Sequence, residues 1–468
     1  MPRFFEKTLL ILVMSFSVFA ISCETTDYEP LIMKKKFKEL DARLEKIENL
    51  ESIQEALKAL EDSSADSDES SEGEADGAAI KTESAKGIAK FTKDDSGKVV
   101  MADLSQCDEA SIAKLAEHTH LKKIFLDGTK ATSSTFKSLG EVTNLEHLEI
   151  AGCNPSPSDL AQLKQLKGLK FLQLFKATLS EAAMKELKEF PALEQIRCAQ
   201  TSVGDAELKQ LEELKTLKAI DLSQCEDVTI DGIRSLAKCP KLAFLKVSGD
   251  SIDNDCMAEV AKMKSLRVLG ISDTRVDDDG IAKLAGLNLS EIQMTRTKVG
   301  DDGIKVIAGM KNISTLNLRD TGLTDAGIGY LSGLKKLKKL DVSECTSPGI
   351  TGACGAEIAK MENLASLNLW ATRFSDPGVE NLVGLKNLTR LNLDKTKVTD
   401  DGVAMLKKMP QLTWLHLGKT RITDREKDVL MGLEKLKYLN ISYTDISPDG
   451  YSDISKHLGG LGCEIIAP

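Results

Sequence analysis

Asp394, His416 and Ser442 have the composition of a nucleophilic relay, in which a carboxylate orients an imidazole that takes up a hydroxyl proton. They lie 22 and 26 residues apart, so only the fold could bring them together. No nucleophile elbow or phosphate loop accompanies them. Strand amides engaged in a sheet leave no oxyanion hole, and catalysis is not expected. The same stretch is better furnished for recognition. Both tryptophans of the chain, Trp370 and Trp414, occur there with Arg390, Asp394, His416 and Tyr438. Trp, Tyr and Arg are the side chains that dominate binding hot spots. Phe125, Phe171, Phe175 and Phe244 form a second aromatic group. Metal chemistry has little support. There are 5 histidines and 10 cysteines, but no CxxC pair and no His/Cys spacing suited to zinc. Acidic triplets such as Asp277-Asp278-Asp279 lack the other ligands of a calcium loop. No metal and no cofactor is expected.

A repeat positions these residues. The pattern L-x-x-L-x-L recurs 14 times, from an anchor at Leu121 to one at Leu436. Successive anchors are 24 residues apart, except for single steps of 25, 23 and 27. Each unit opens with alternating apolar residues, the mark of a short strand. Thr-x-Val and Asp-x-Gly follow, then an amphipathic run such as 280–287, GIAKLAGL. The aspartates of Asp-x-Gly (Asp278, Asp301, Asp325, Asp376, Asp400) are expected to cap the helix amides. Pro377 falls in the first helical turn, where proline is tolerated. Eight residues past the anchor most units have a small hydroxyl or thiol, as at Thr201, Cys225, Thr274 and Cys345 (Ala177 and Asp250 depart from this), placed to satisfy turn backbone between coils or simply to fit. Most cysteines therefore read as buried thiols. Cys345 and Cys354, flanking the extra residues of the 27-residue step, are the best bridge candidates.

Strand side chains alternate, so residues two, four and six past each anchor should share one face. That rule gathers Trp370, Arg390, Asp394, Trp414, His416 and Tyr438 into one patch, with Arg390 and Asp394 orienting a ligand. The alternative is that Trp and Tyr pack on one another or under a terminal cap. Asn317, Asn368, Asn392 and Asn440 recur on the same face and suggest a side-chain ladder.

From about Val99 to Pro468 the chain resembles the leucine-rich repeat family, closest to its ribonuclease-inhibitor-like and cysteine-containing subtypes. The resemblance implies an α/β horseshoe solenoid, a right-handed superhelix with parallel strands on the concave face and helices outside. It also implies binding of proteins or peptides and no shared catalytic residues. A lone 24-residue unit cannot bury both faces of its strand and helix, so neighbours must stack. The ends need caps. Residues 88–104 read as a hairpin around Asp95-Ser96-Gly97, and Cys463 to Ile466 as a shortened last strand.

The N-terminal region carries other signals. Arg3 and Lys7 precede an apolar run from Leu9 to Ala20, too short to span a bilayer but suited to a secretory signal core. It ends Ala20-Ile21-Ser22-Cys23, which resembles the lipobox of bacterial lipoproteins, with Ala20 where leucine is usual. That resemblance implies cleavage before Cys23 and acylation of both its thiol and its new amine. More than one acyl chain gives stable anchoring. Glu24 in place of Asp leans toward the outer membrane under the lipoprotein sorting rule. Apolar residues at Phe37, Leu40, Leu44, Ile47, Leu50, Ile53, Leu57 and Leu60 make a heptad-like seam broken by one short step. Such a stalk invites self-association or, alternatively, lies on an anionic membrane through Lys34, Lys35, Lys36 and Lys38. Residues 61–79 hold eight acids and no base, and removing them takes the net charge from −10 to −2. The stretch reads as a solvated linker. The remainder is nearly balanced, so nucleic acid is not an expected partner.

The expected organisation is a signal peptide (1–22), a lipidated segment (23–30), a coiled-coil-like stalk helix (31–60), an acidic disordered linker (61–87) and a capped solenoid (88–468). The expected function is a lipid-anchored envelope protein presenting a repeat surface to a protein or peptide. The alternatives are glycan binding by the aromatic patch and a purely structural spacer.

Overall fold

A computed structural model describes residues 89–466, apart from 106, 108–111, 113 and 127–130. Cys23, the 31–60 seam and the 61–87 linker lie outside the described residues. The described chain divides into two compact units, 89–374 and 375–466.

The first unit opens with an antiparallel hairpin, β1 (Lys90–Lys93) on β2 (Val99–Asp103). Asp94 makes its turn, accepting from the amides of Ser96 at 2.9 Å and Lys98 at 3.0 Å. Gly97 supplies the left-handed residue, at φ +80°. Every later strand of this unit is parallel to its predecessor. They are β3 (Lys123–Leu126), β4 (His147–Ala151), β5 (Phe171–Phe175), β6 (Gln195–Arg197), β7 (Ala219–Leu222), β8 (Phe244–Val247), β9 (Val268–Gly270), β10 (Glu291–Gln293), β11 (Thr315–Asn317), β12 (Lys339–Asp341) and β13 (Ser366–Asn368). The second unit carries β14 (Arg390–Asn392), β15 (Trp414–His416), β16 (Tyr438–Asn440) and β17 (Glu464–Ile466), again parallel.

Each repeat is thus one coil of strand, turn and short helix. The middle residue of every three-residue strand points inward, so register stacks the apolar residues in rows. Ile292, Leu316, Leu340 and Leu367 are paired in the first unit, and Leu391, Leu415 and Leu439 in the second. All are 2% exposed or less. Burying a leucine fully is worth about 1.5–3 kcal/mol, so the row supplies stability that no single coil has. Helices contribute a second buried stripe, for example Ile304 and Ile307 of Asp301–Ile307.

The Asp-x-Gly aspartates do not cap their own helices. The N-cap is the residue before them: the side chain of Thr324 accepts from Ala326, and that of Asp277 from Asp279. The Asp stands at the first helical position, where its carboxylate projects toward the next coil. Asp301 accepts from the Thr324 amide at 2.9 Å and hydroxyl at 2.6 Å. Asp376 holds Thr399 in the same way at 2.8 Å for both bonds, and Asp400 holds Thr423 at 2.7 and 2.8 Å. The glycine two residues later makes room for the incoming carboxylate. At the equivalent position after Pro448, a side chain at Gly450 would first meet Asp424, whose carboxylate accepts from the Ser447 amide and hydroxyl. Asp-x-Gly is therefore a clasp between successive coils.

The hydroxyls eight past the anchor close their own coil. Thr396, Thr420 and Thr444 donate to the carbonyls of Leu393, Leu417 and Ile441. The thiols reach one coil back, Cys225 to the Cys198 carbonyl and Cys345 to that of Leu318. Cys354 donates to the Thr351 carbonyl instead, so the bridge considered for Cys345 and Cys354 is not formed.

Candidate functional site

The sheet face opposite the buried leucines carries the residues singled out for recognition. Trp370 belongs to the first unit, where the Arg319 guanidinium lies 5.0 Å from its ring centre. Glu344 fixes that guanidinium at 2.7 Å. Arg390, Asp394, Trp414, His416 and Tyr438 belong to the second unit.

Parallel register makes Arg390, Trp414 and Tyr438 direct neighbours on β14, β15 and β16. Trp414 stacks on Tyr438 with ring centres 5.0 Å apart and planes 5° off parallel. The Arg390 guanidinium lies 4.8 Å from the Trp414 centre. Because β14 and β16 flank β15 on opposite sides, both faces of the indole are covered. Tyr438 is buried at 8% exposure, while Arg390 and Trp414 remain half-buried. So Trp and Tyr do pack on one another, and the edge of the stack is what solvent meets.

The next row holds Asn392, His416 and Asn440. The Asn440 amide donates to the Tyr438 hydroxyl at 3.3 Å. Asparagine oxygens mainly close local turns: Asn392 accepts from the Asp394 amide, and Asn440 from the Ser442 amide, both at 2.9 Å. Ladder contacts occur as well: Asn368 donates to Asp341 at 2.8 Å, and Asn317 accepts from the Thr295 hydroxyl of the preceding coil at 3.1 Å. His416 Nδ1 accepts from the Gly418 amide at 3.3 Å, which leaves the proton on Nε2. Burial, with Lys419 adding repulsion, pulls its pKa down to about 4, so the ring is neutral at pH 7. A side chain at Gly418 would come 2.9 Å from the His416 ring and 3.2 Å from Asp394 Oδ1, so this glycine lets both lie against the sheet.

The catalytic constellation is not assembled. The Ser442 hydroxyl donates to Asn440 at 2.7 Å, and His416 spends Nδ1 on backbone. No cluster of three or more metal-ligating side chains occurs among the described residues.

The second aromatic group separates. His147, unremarked in the sequence, stacks on Phe171 at 4.1 Å and 1°, and lies 5.5 Å from Phe125. Its Nε2 meets Glu149 at 2.7 Å. Phe175 sits under Lys176, and Phe244 is buried. Burial of the neighbouring Lys123 lowers its pKa to about 8.

One positional feature was not legible in residue types. The residue seven past the anchor takes positive φ in coil after coil: Asp320 at 52°, Glu344 at 59°, Lys395 at 55°, Lys419 at 51°, Tyr443 at 57°. Glycine would be the usual signal for this conformation, and among the described residues only Gly152 and Gly249 carry it at this position. The turn thrusts these side chains outward. Tyr443 is 75% exposed, with the Lys419 ammonium 5.4 Å from its ring centre.

Comparisons with known proteins agree with this construction. A family model described as a leucine-rich repeat region matches residues 99–328, and one described as leucine rich repeat matches 386–446. No curated protein matches the chain. A leucine-rich repeat protein of Leptospira interrogans is 22% identical, with 79% of this chain and 90% of that one covered at a TM-score of 0.51. An internalin of Listeria monocytogenes is 17% identical, with 72% and 89% covered at a TM-score of 0.45. Stacked strand-and-helix coils, leucine rows shared between them and matching models over both units make this chain a leucine-rich repeat protein.

Proposed function

We propose that this is a lipid-anchored cell-envelope protein whose repeat surface binds a protein or peptide, as a scaffold, adhesin or receptor-like module. The observation that carries the binding reading is the Arg390–Trp414–Tyr438 stack on the open sheet face of the second unit. A pre-stacked group offers a rigid amphipathic edge, so little side-chain entropy remains to be lost on binding. The glycan alternative needs an uncovered ring face on which a sugar can stack, and Trp414 has none. Anchoring rests on the sequence around Cys23, with the outer membrane favoured by Glu24, and self-association on the 31–60 seam.

Selection of a displayed random-peptide library on the full chain, beside a glycan array, tests the reading. Peptides enriched on the wild type and lost on Trp414→Ala are the expected result. Glycan binding without peptide enrichment would replace it.

A further inference from the structure

Resting on the peptide-binding reading, we infer that the first unit holds a second anchor point, where the Lys246 ammonium takes a carboxylate side chain of an extended peptide lying across β6 to β10. Lys246 stands four past its anchor on the open face of β8, yet it is only 7% exposed. Its burial has a local cause. Gly270 is its register neighbour on β9, and a side chain there would come 2.6 Å from Lys246 Cγ and 3.4 Å from both Cδ and Cε. The lysine stem fills the space that Gly270 leaves and lies down on the sheet. A stem already held has little rotamer freedom to lose when its ammonium is engaged.

That ammonium has no hydrogen-bond or salt-bridge partner among the described residues. A lysine so far withdrawn from water is normally paired. The carboxylates around it do not serve. Asp221, its register partner on β7, pairs with Arg197 at 3.5 Å and accepts from the Ser223 hydroxyl at 2.6 Å. Glu291 on β10 accepts from the Gln293 side-chain amide at 2.8 Å. Asp250 and Asp273 stand on the turns after β8 and β9, Asp273 with Arg296 at 2.7 Å. None of the four reaches Lys246 as a salt bridge. Two hydroxyls come next along the same face. Ser248 accepts from the Gln224 amide at 2.6 Å and Ser272 from the Thr295 amide at 3.2 Å, so each keeps its own proton to donate. One ammonium and two hydroxyls suit a carboxylate. The occupant's form follows from the residues six past the anchor. From β6 to β10 these are Ala199, Ser223, Ser248, Ser272 and Thr295, between Phe175 and Arg319. Such short side chains let a peptide backbone approach the sheet. At the strand spacing the strip is about 20 Å long, room for about six extended residues.

The probe is the displayed random-peptide library, selected on the full chain and counter-screened on Lys246→Met. Methionine keeps an unbranched stem over Gly270 and loses the charge, and an unchanged melting temperature verifies the fold. A class of peptides sharing an Asp or Glu should be enriched on the wild type and lost on Lys246→Met. By fluorescence anisotropy, one such peptide should bind Lys246→Met about thirtyfold more weakly or worse. Exchanging its carboxylate for the amide should weaken wild-type binding by a similar factor and leave Lys246→Met unaffected, a test of the pair that does not alter the protein. Lys305→Met, on the helix Asp301–Ile307, should change nothing. The inference is overturned if no enriched class depends on Lys246, if that class shares no acidic residue, or if the two losses multiply instead of overlapping. Peptides that still depend on Trp414 would then leave the binding reading standing, and their absence would remove both.

Discussion

His416 shows how one residue reports its surroundings. Its folded pKa is held at about 4, first by burial and then by Lys419, while the unfolded chain titrates near 6.5. Between these values the unfolded state binds more protons, so stability falls as pH drops from about 6.5 toward about 4. Ordinary carboxylates, at about 4, titrate mostly below about pH 5, so the upper part of this window belongs to the imidazole. The melting temperature of the second unit should therefore decline between pH 6.5 and 5, and His416→Gln should flatten that decline. A wild-type melt independent of pH over this range would mean the ring is not desolvated. The sequence placed Trp414, His416 and Tyr438 on a common face, because strand alternation fixes which side a residue takes. It did not show that Arg390 and Tyr438 close both faces of the indole. That follows from parallel register, which pairs equivalent positions of successive coils. Nor did residue types reveal the outward thrust of Lys395 and Lys419, because left-handed backbone here is imposed by the coil rather than chosen by glycine.

At the scale of the element, the repeat period and the leucine pattern gave strands, inward rows and both end caps. The partner of each Asp-x-Gly carboxylate stayed hidden. In sequence an N-terminal Asp reads as a local cap, and only stacking reveals that its bond crosses to the next coil. The same contact at Asp424 and Gly450, which lie outside the Asp-x-Gly spelling, allows a sharp test. Asp424→Ala loses the Ser447 clasp and should cost about 1–3 kcal/mol. Gly450→Ala should destabilise the wild type, because its methyl would meet the Asp424 carboxylate. In the Asp424→Ala background that obstacle is gone. Gly450→Ala should then be neutral or stabilise the helix Pro448–Gly460 by up to about 1 kcal/mol. A double-mutant cycle by urea denaturation checks this, and additive effects would rule out the clasp. The inward rows give a companion prediction. Leu340, 2% exposed, tolerates no charge, so Leu340→Asp should lower the melting temperature strongly while Lys338→Ala hardly moves it.

At the scale of the whole molecule, two kinds of cysteine are expected to behave differently. Burial raises the thiol pKa to about 12 at Cys153 and Cys463, and to about 11 at Cys239 and Cys256. All nine cysteines within the described residues are buried thiols, none of them in a disulfide. They should resist iodoacetamide in the folded protein at pH 8 and react on unfolding, as read by intact mass. Cys23 is proposed to carry lipid, so Cys23→Ser should abolish acyl labelling and release the protein from membranes. Unchanged detergent partitioning would end the lipoprotein proposal. The binding proposal meets its most direct test at Trp414. Central aromatic anchors, when truncated, cost about 2 kcal/mol or more, or about thirtyfold in affinity. The measurement is the affinity of a library-selected peptide for wild type and Trp414→Ala, taken with the melting temperature of each. A loss of about thirtyfold with little change in melting is the predicted result. Unfolding of the second unit with no separable loss of affinity would contradict it, and would make Trp414 a packing residue between Arg390 and Tyr438.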